Sequence, residues 1–378
     1  MQNGCEQGPR NARPEEFNEI VDLTEKAYST PRSIYSDLAA PDNFKYENSY
    51  IIREGGKIAS LVRMFPVVAV VNACEIPVAG IGGVATHPEC RGKGYMGKLL
   101  DYAAREMKAR DIPLSILWGY TPRYRHFGWE RGGQQLEVLV QPQTVKQIKV
   151  SSSFAIDGYE ERKHLERLMA LHERETFRVK RTRAEYAEYF RRPQYQIWVG
   201  HEDDNWSYLI LRENAVIEFG GSPAMVCELI AALFLLQRGP GLRVYCPCVD
   251  SETTRMLLRV AQEWKIMPLG MLKIIDLKKV LTIFRPELRK RMQFYGVAKG
   301  ATVTLCMTDS RQTTTLTVGD DVEISEESTG AVLALSDIEM VRLIFGMPIE
   351  RFGGNERQQR LLRALFPLNV YYWLPDDV

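Results

Sequence analysis

The chain has 378 residues, 49 basic and 48 acidic, and 45% of them are hydrophobic. That length accommodates two or three domains of roughly 100–200 residues, each large enough to bury a core. A formal charge of +1 excludes the broad basic surface of a general nucleic-acid binder, and the mixing of signs along the chain excludes extended disorder. Seven cysteines, an odd number without a regular framework, fit a reducing, cytoplasmic compartment. The stretch Met1 to Pro9 has no apolar core behind a basic start and does not read as a secretory signal. The most apolar run, Pro223 to Gln237, contains Glu228 and falls short of the ~20 residues of a spanning helix. No membrane partner is expected.

In chain order, Pro14-Glu15-Glu16 followed by Phe17, Ile20, Val21 and Leu23 predicts a helix, with proline and acids in the first turn and an apolar face behind them. Runs rich in β-branched residues, Ser49–Arg53, Lys57–Phe65 and Val67–Cys74, predict an antiparallel meander, with Glu54-Gly55-Gly56 as a hairpin turn. Ile81 to Thr86 reads as a strand ended by Pro88, and Met96, Leu99, Leu100, Ala103 and Met107 form the inner stripe of the next helix. Between them lies Arg91-Gly92-Lys93-Gly94-Tyr95-Met96-Gly97. Glycines allow a tight turn and close approach of a ligand, and the unpaired amides of the first helical turn favour an anion. With Arg91 and Lys93 added, the segment outlines a pyrophosphate site.

Gly92-x-Gly94-x-x-Gly97 also matches a dinucleotide fingerprint in form. That fingerprint should follow its strand directly and place an acid at the end of the next strand. Here His87 to Arg91 intervenes, and Asp111 precedes the strand Pro113–Trp118. A Walker loop fails because no Ser or Thr follows Lys93 in the required frame. An ordinary glycine-rich turn without a ligand is the third reading.

Val84-Ala85-Thr86 followed by Arg91-Gly92-Lys93-Gly94-Tyr95-Met96-Gly97 resembles motif A of the GCN5-related N-acetyltransferases, whose core is Arg/Gln-x-x-Gly-x-Gly/Ala. The segment Tyr124-x-x-Phe127-Gly128-Trp129 is similar to an element of the enhanced-intracellular-survival (Eis) branch, which has two acetyltransferase-like lobes and a sterol-carrier-like C-terminal domain. The resemblance implies acetyl-CoA as cosubstrate and no metal. It implies that backbone at Val84, Ala85 and Thr86 pairs with the pantetheine arm, and that Arg91, Gly92, Lys93, Gly94, Met96 and Gly97 wrap the pyrophosphate.

Acetyl transfer to an amine needs a neutral nucleophile, a polarised carbonyl and a proton for the departing thiolate. Tyrosine can supply that proton because its pKa lies within about two units of a thiol's. Tyr124 matches the family's general acid; packing of its ring with Phe127 and Trp129 is the structural alternative. Tyr120 and His126 are further candidates, His126 also reading as a solvated histidine among arginines. Cys90, beside the loop, reads as a buried or incidental thiol. In the Eis branch the base is the C-terminal carboxylate, here that of Val378, with Asp376 and Asp377 as rival carboxylates. The aromatic tail Tyr371-Tyr372-Trp373 suggests a docked end, since free ends are usually polar.

Past a polar connection from Val140 to Ser153 the pattern repeats. A helical stretch from Gly158 to Glu175 precedes a Thr182-x-x-Glu185 capping box, then come strands Tyr195–Val199, Ser207–Arg212 and Ala215–Phe219. Helix Pro223–Gln237, strand Arg243–Cys248, helix Glu252–Trp264 and strand Met271–Leu277 complete the copy, which lacks the Arg-x-x-Gly-x-Gly core and reads as a degenerate lobe. His164 and His172 show no HExxH spacing, and Cys246-Pro247-Cys248 is too short for a zinc pair. From Asp276 a helical face of Leu277, Val280, Leu281 and Phe284 leads to strands Ala301–Met307 and Thr313–Val318, an acidic stretch and helix Ser336–Phe345.

The expected fold is α+β: tandem GNAT-like lobes with mixed β-sheets flanked by helices, plus a C-terminal sterol-carrier-like domain. The expected divisions are 1–146 (catalytic, acetyl-CoA-binding), 147–274 (degenerate) and 275–378, with the tail reaching the active site. The expected function is direct, ternary-complex acetyl transfer to an amine of a small molecule by a cytoplasmic homo-oligomer, a hexamer on the resemblance. A coenzyme A-binding sensor without turnover, and lipid carriage by residues 275–378, are the alternatives.

Overall fold

The computed structural model describes residues 7–28, 41–237, 239, 241–347, 352–353 and 355–373. The fold is mixed α+β, with three sheets. Strand β1 (Gln7–Asn11) leads to α1 (Phe17–Tyr28), which buries Phe17, Ile20, Val21 and Leu23. Strands β2 (Ser49–Glu54), β3 (Lys57–Val71) and β4 (Cys74–Thr86) form the expected antiparallel meander. The break expected near Pro66 is absent: β3 continues for 15 residues and turns at Asn72, which takes φ +54°. Proline is tolerated there because β3 has left β2 at Arg63 and meets the next partner on that side only at Ala69. Helix α2 (Tyr95–Ala109) buries Tyr95, Leu99, Leu100, Ala103 and Met107, and β5 (Leu114–Leu117) then joins β4 in parallel. A short helix, α3 (Thr121–Arg125), and β6 (Glu130–Gly132) follow.

The next strand, β7 (Gln135–Val140), belongs to the second sheet. The elements that follow are β8 (Ala155–Gly158), α4 (Glu161–His172), β9 (Phe177–Val179), which returns to β3, and α5 (Arg183–Phe190), capped by the Thr182/Glu185 box. A second meander, β10 (Gln196–Glu202), β11 (Asn205–Arg212) and β12 (Ala215–Gly221), precedes α6 (Pro223–Gln237) and β13 (Leu242–Pro247), which is parallel to β12. The plan of β2–β3–β4–α2–β5 is thus repeated. Helix α7 (Glu252–Arg259) stops five residues before the Trp264 end that the sequence suggested. Residues Ala261–Met267 form β14 instead, because pairing with β7 outweighs their helical composition. Strand β15 (Gly270–Ile274), expected to close the second lobe, crosses back into the first sheet between β5 and β6. The first two sheets therefore exchange β7 and β15.

Asp276 caps α8 (Leu277–Ile283), and α9 (Arg285–Phe294) follows. The third sheet contains β16 (Thr302–Met307), β17 (Gln312–Val318), β18 (Val322–Ser325) and β19 (Ala331–Leu335), with α8 and α9 against it; α10 (Asp337–Phe345) packs on β6 and β15, and α11 (Glu356–Leu365) on α9. Leu277, Val280, Leu281 and Phe284 are fully buried, as their spacing predicts.

One apolar core runs through all three sheets, from Val78 and Leu114 through Val138 to Phe284 and Leu305. The aromatic tail docks, and it docks across this core. Tyr371, Tyr372 and Trp373 are buried; their rings pack edge-on against Phe177, Trp118 and Phe219 respectively. Each aromatic of this size buries about 150–250 Å², so the three hold the chain end against both lobes. Val378, Asp376 and Asp377 lie outside the described residues.

Candidate active site

The site begins where two parallel strands part. β4 and β5 pair at Val78–Leu114, Ala79–Ser115 and Gly80–Ile116, and β5 ends one residue later while β4 runs on to Thr86. Beyond Gly80, one edge of β4 has no strand beside it. A bulge then re-aims that edge: between the pairs Leu61–Ala85 and Arg63–Gly82, β4 carries one extra residue. Gly83 makes the bulge possible. It takes φ +54°, and a Cβ there would come within 2.7 Å of the Arg63 side chain.

Past the bulge the main chain alternates. His87 donates its N–H to the Ala59 carbonyl on β3, so Ala85 and His87 face β3 while Val84 and Thr86 turn their peptide groups to the open side. The Tyr28 hydroxyl donates to the Val84 carbonyl at 2.9 Å, whereas the Ala85 carbonyl accepts from the Ser60 hydroxyl at 3.0 Å. Of the three residues expected to hold a pantetheine arm, Val84 and Thr86 face the cleft, and Ala85 is buried against β3.

The glycine loop closes the other end. Gly92 and Gly94 have φ of +80° and +77°, and a Cβ on either would meet nothing within 4 Å. They are needed for backbone shape, and the space beside them is open. Gly94 caps α2, whose first amides point out of the helix with the positive end of its dipole. Gly97 does something different: a Cβ there would lie 2.8 Å from the ring of Phe127, in the turn after α3, so this glycine lets that ring close on α2. Lys93 is tied to Glu54 at 2.7 Å, and that contact raises the lysine and lowers the carboxyl. Arg91 is exposed.

Together these elements enclose a cleft of about 770 Å³, lined by Val84, Thr86, Arg91, Gly92, Gly94, Met96 and Gly97 along one side and by Tyr28, Arg123, His126 and Phe127 along the other. Seven of the nine residues expected to hold acetyl-CoA thus converge on one space; Ala85 and Lys93 do not line it. Tyr124 sits behind it. Its ring packs on Gly119 and joins the core under α2, while its neighbours Arg123, His126 and Phe127 form the wall. Burial pushes the Tyr124 phenol upward, so it stays protonated through neutral pH. Tyr120 is largely exposed. Cys90 is buried and its thiol is pushed up, first by burial and then by its contact with Glu54, which leaves little reactive thiolate. In the second lobe, Cys246 is buried and pushed up to about 12. The His164 ring accepts from the Glu160 amide, and His172 meets the Tyr186 hydroxyl at 2.8 Å.

Sequence reasoning missed Tyr28 and Lys273. Lys273 comes from β15, 146 residues beyond the turn it supports: its ammonium donates to the Phe127 carbonyl at 2.6 Å and lies 4.7 Å from the centre of the Trp129 ring. Burial pushes this lysine down, with Asp101 and Asp337 opposing. No local pattern marks it, because only the strand exchange brings it there.

Residues 9–132 match the family model described as an acetyltransferase (GNAT) domain. Over these residues the chain therefore matches a GNAT acetyltransferase domain. No curated protein matches the chain. Among solved structures, a GCN5-related N-acetyltransferase from Kribbella flavida is 16% identical, covering 100% of this chain and 99% of that one at a TM-score of 0.74. A probable N-acyltransferase from Enterococcus faecalis, a conserved protein of unknown function, is 16% identical, with coverage of 99% and 100% and a TM-score of 0.77. Eis1 from Mycobacterium abscessus is 13% identical, with coverage of 98% and 99% and a TM-score of 0.74. The chain shares its fold with these proteins over essentially its whole length.

Replacing Lys273 by Met removes the donor from a buried carbonyl and should cost about 1–3 kcal/mol of stability. Denaturant titration checks this, with amide exchange at Phe127 and Gly128 as the local readout. Unchanged stability and protection would show that the turn needs no support from β15.

Proposed function

We propose that the chain transfers the acetyl group of acetyl-CoA to a primary amine of a small molecule, directly and within a ternary complex. The observation that carries this reading is the cleft in which the edge of β4 at Val84 and Thr86, with no strand beside it, meets the glycine-capped start of α2. A strand edge suits the amides of a pantetheine arm, as a peptide suits the edge of a sheet. A helix start with Arg91 beside it suits a pyrophosphate. Gly92, Gly94 and the amides of Met96 and Gly97 complete that cradle, and Lys93 would join it by exchanging Glu54 for phosphate.

Acetyl-CoA supplies the activated thioester. The amine nitrogen forms the new C–N bond as the C–S bond breaks, and the two protons to be placed are one from the amine and one for the sulfur. Tyr124 is the proposed acid, and the Val378 carboxylate the proposed base. Burial of Tyr371, Tyr372 and Trp373 supports the latter, because Tyr372 packs on Trp118 at the end of β5 and Val378 follows six residues further on. His126 is a second reading for the proton carrier, favoured by its place in the cleft wall where Tyr124 lies behind.

The same reading divides the chain at 146/147 and 274/275, with β7 and β15 exchanged across the lobes. The second lobe serves as a scaffold, and residues 275–378 keep the sterol-carrier-like plan. It takes the protein as a cytoplasmic homo-oligomer, hexameric on the resemblance. No helix among the described residues is long and apolar enough to cross a membrane.

An acetyl-CoA turnover screen across aminoglycosides, polyamines and arylalkylamines tests the activity; coenzyme A binding without thiol release for any amine would favour the sensor reading. Tyr124→Phe should lower kcat far more than coenzyme A affinity. Because the phenol is raised, any fall in kcat caused by its ionisation belongs above pH 10; near-normal turnover in Tyr124→Phe together with lost turnover in His126→Gln would move the role to His126. Adding a few residues after Val378 should cripple turnover, and a fully active extended enzyme would remove the terminal carboxylate from the mechanism.

A further inference from the structure

We propose that the chain pairs with a second copy of itself along β14, antiparallel and centred on Trp264. Among the described residues β14 is the outermost strand of the seven-stranded sheet, bonded to β7 on one side only. Its outer edge presents a row of N–H and C=O groups, the feature through which one sheet extends into another. Both faces of the strand are exposed from Gln262 to Ile266.

The two faces differ. Trp264 and Ile266 stand opposite Val138 and Leu136 of β7, on the side of the sheet that α6 and α7 cover. That apolar face outruns its cover: Trp264 is 60% exposed and Ile266 39%, with the exposed Leu258 of α7 beside them. An uncovered apolar row next to an open edge marks an association surface rather than a finished one. Glu263 and Lys265 occupy the opposite face, where Lys265 also meets Glu137 at 3.0 Å.

Symmetry selects the register. A two-fold axis normal to the sheet keeps every side chain on its own face, so one residue of β14 must lie opposite its own copy. Centring on Glu263 or on Lys265 sets like charges directly opposite, which is destabilising. Centring on Trp264 pairs all residues from Ala261 to Met267 and places Glu263 opposite the second copy's Lys265, twice. The two indoles then meet at the axis over the apolar face, and the α7 helices flank them on the same side. The sequence Glu-Trp-Lys is thus self-complementary in this arrangement alone among those centred on its three residues.

The test is particle mass by light scattering. Wild type should contain an even number of copies. Glu263→Lys and Lys265→Glu should each halve the mass when alone, and an equimolar mixture should restore it, since both cross-strand pairs become attractive in the mixed dimer. Glu263→Lys touches no intrachain partner of Lys265, and an unchanged unfolding midpoint separates lost pairing from lost folding. A monomeric wild type, a mass that survives both single variants, or a mixture that stays halved would each overturn the proposal. Thiol release in the same samples is read separately: an active monomer overturns the interface and leaves the transferase reading intact.

Discussion

The parting of β4 from β5 after Gly80 and Ile116 is the constraint on which the site depends. Two parallel strands that stayed paired to their ends would satisfy their own peptide groups and leave nothing for a ligand. Here β5 stops at Leu117, and the bulge at Gly83 turns Val84 and Thr86 toward the gap. The cost of leaving backbone groups unpaired is tolerable only because water or a ligand can reach them. α2 packs against β3 and β4 and starts at the open end of the gap, so the glycine cap faces the same space. The turn after α3 packs Phe127 on Gly97, and Lys273 from β15 fixes that turn.

The second lobe repeats the same plan with a different use of its glycines. β12 and β13 also pair in parallel over a short stretch, and a glycine turn also precedes α6. Yet a Cβ at Gly220 would strike the Tyr208 ring at 2.5 Å, and one at Gly221 the Trp206 carbonyl at 2.6 Å. Those glycines make room for the protein's own chain, whereas Gly92 and Gly94 have open space. Nearby, Glu218 is fully buried in an ion pair with Arg181 at 2.6 Å and accepts from the Tyr208 hydroxyl. A charge so placed is kept by its partners, and losing one partner would be strongly destabilising. The lobe supports the first by lending it β15.

Much of this was legible in the sequence, because the relevant signals are local. The stripe Leu99–Leu100–Ala103–Met107, the Thr182/Glu185 cap and the turn Gly92-x-Gly94-x-x-Gly97 each act within one or two turns of chain, and each lies between or within the elements expected. The loop's convergence with Val84 and Thr86 followed from family resemblance joined to the strand–turn–helix order. The losses have one physical origin, tertiary pairing. Ala261–Met267 has helical composition and becomes a strand only because β7 offers an edge. β15 read as the end of the second lobe and lies in the first sheet. Lys273 and Tyr28 act on residues far along the chain and carry no pattern of their own. Tyr124 matches a general acid by resemblance and a packed aromatic by composition; its ring is buried and its neighbours form the wall, a distinction of side-chain direction that spacing does not reveal.

The central claim is that one cleft in the first lobe holds coenzyme A along β4 and at the start of α2. Amide hydrogen exchange with and without coenzyme A measures this directly. The account predicts protection at Val84 and Thr86 and over Tyr95–Gly97, with the Gly220–Met225 turn of the second lobe unchanged. Exchange that is unaltered at Val84, Thr86 and Tyr95–Gly97, or protection confined to the second-lobe turn, would contradict it.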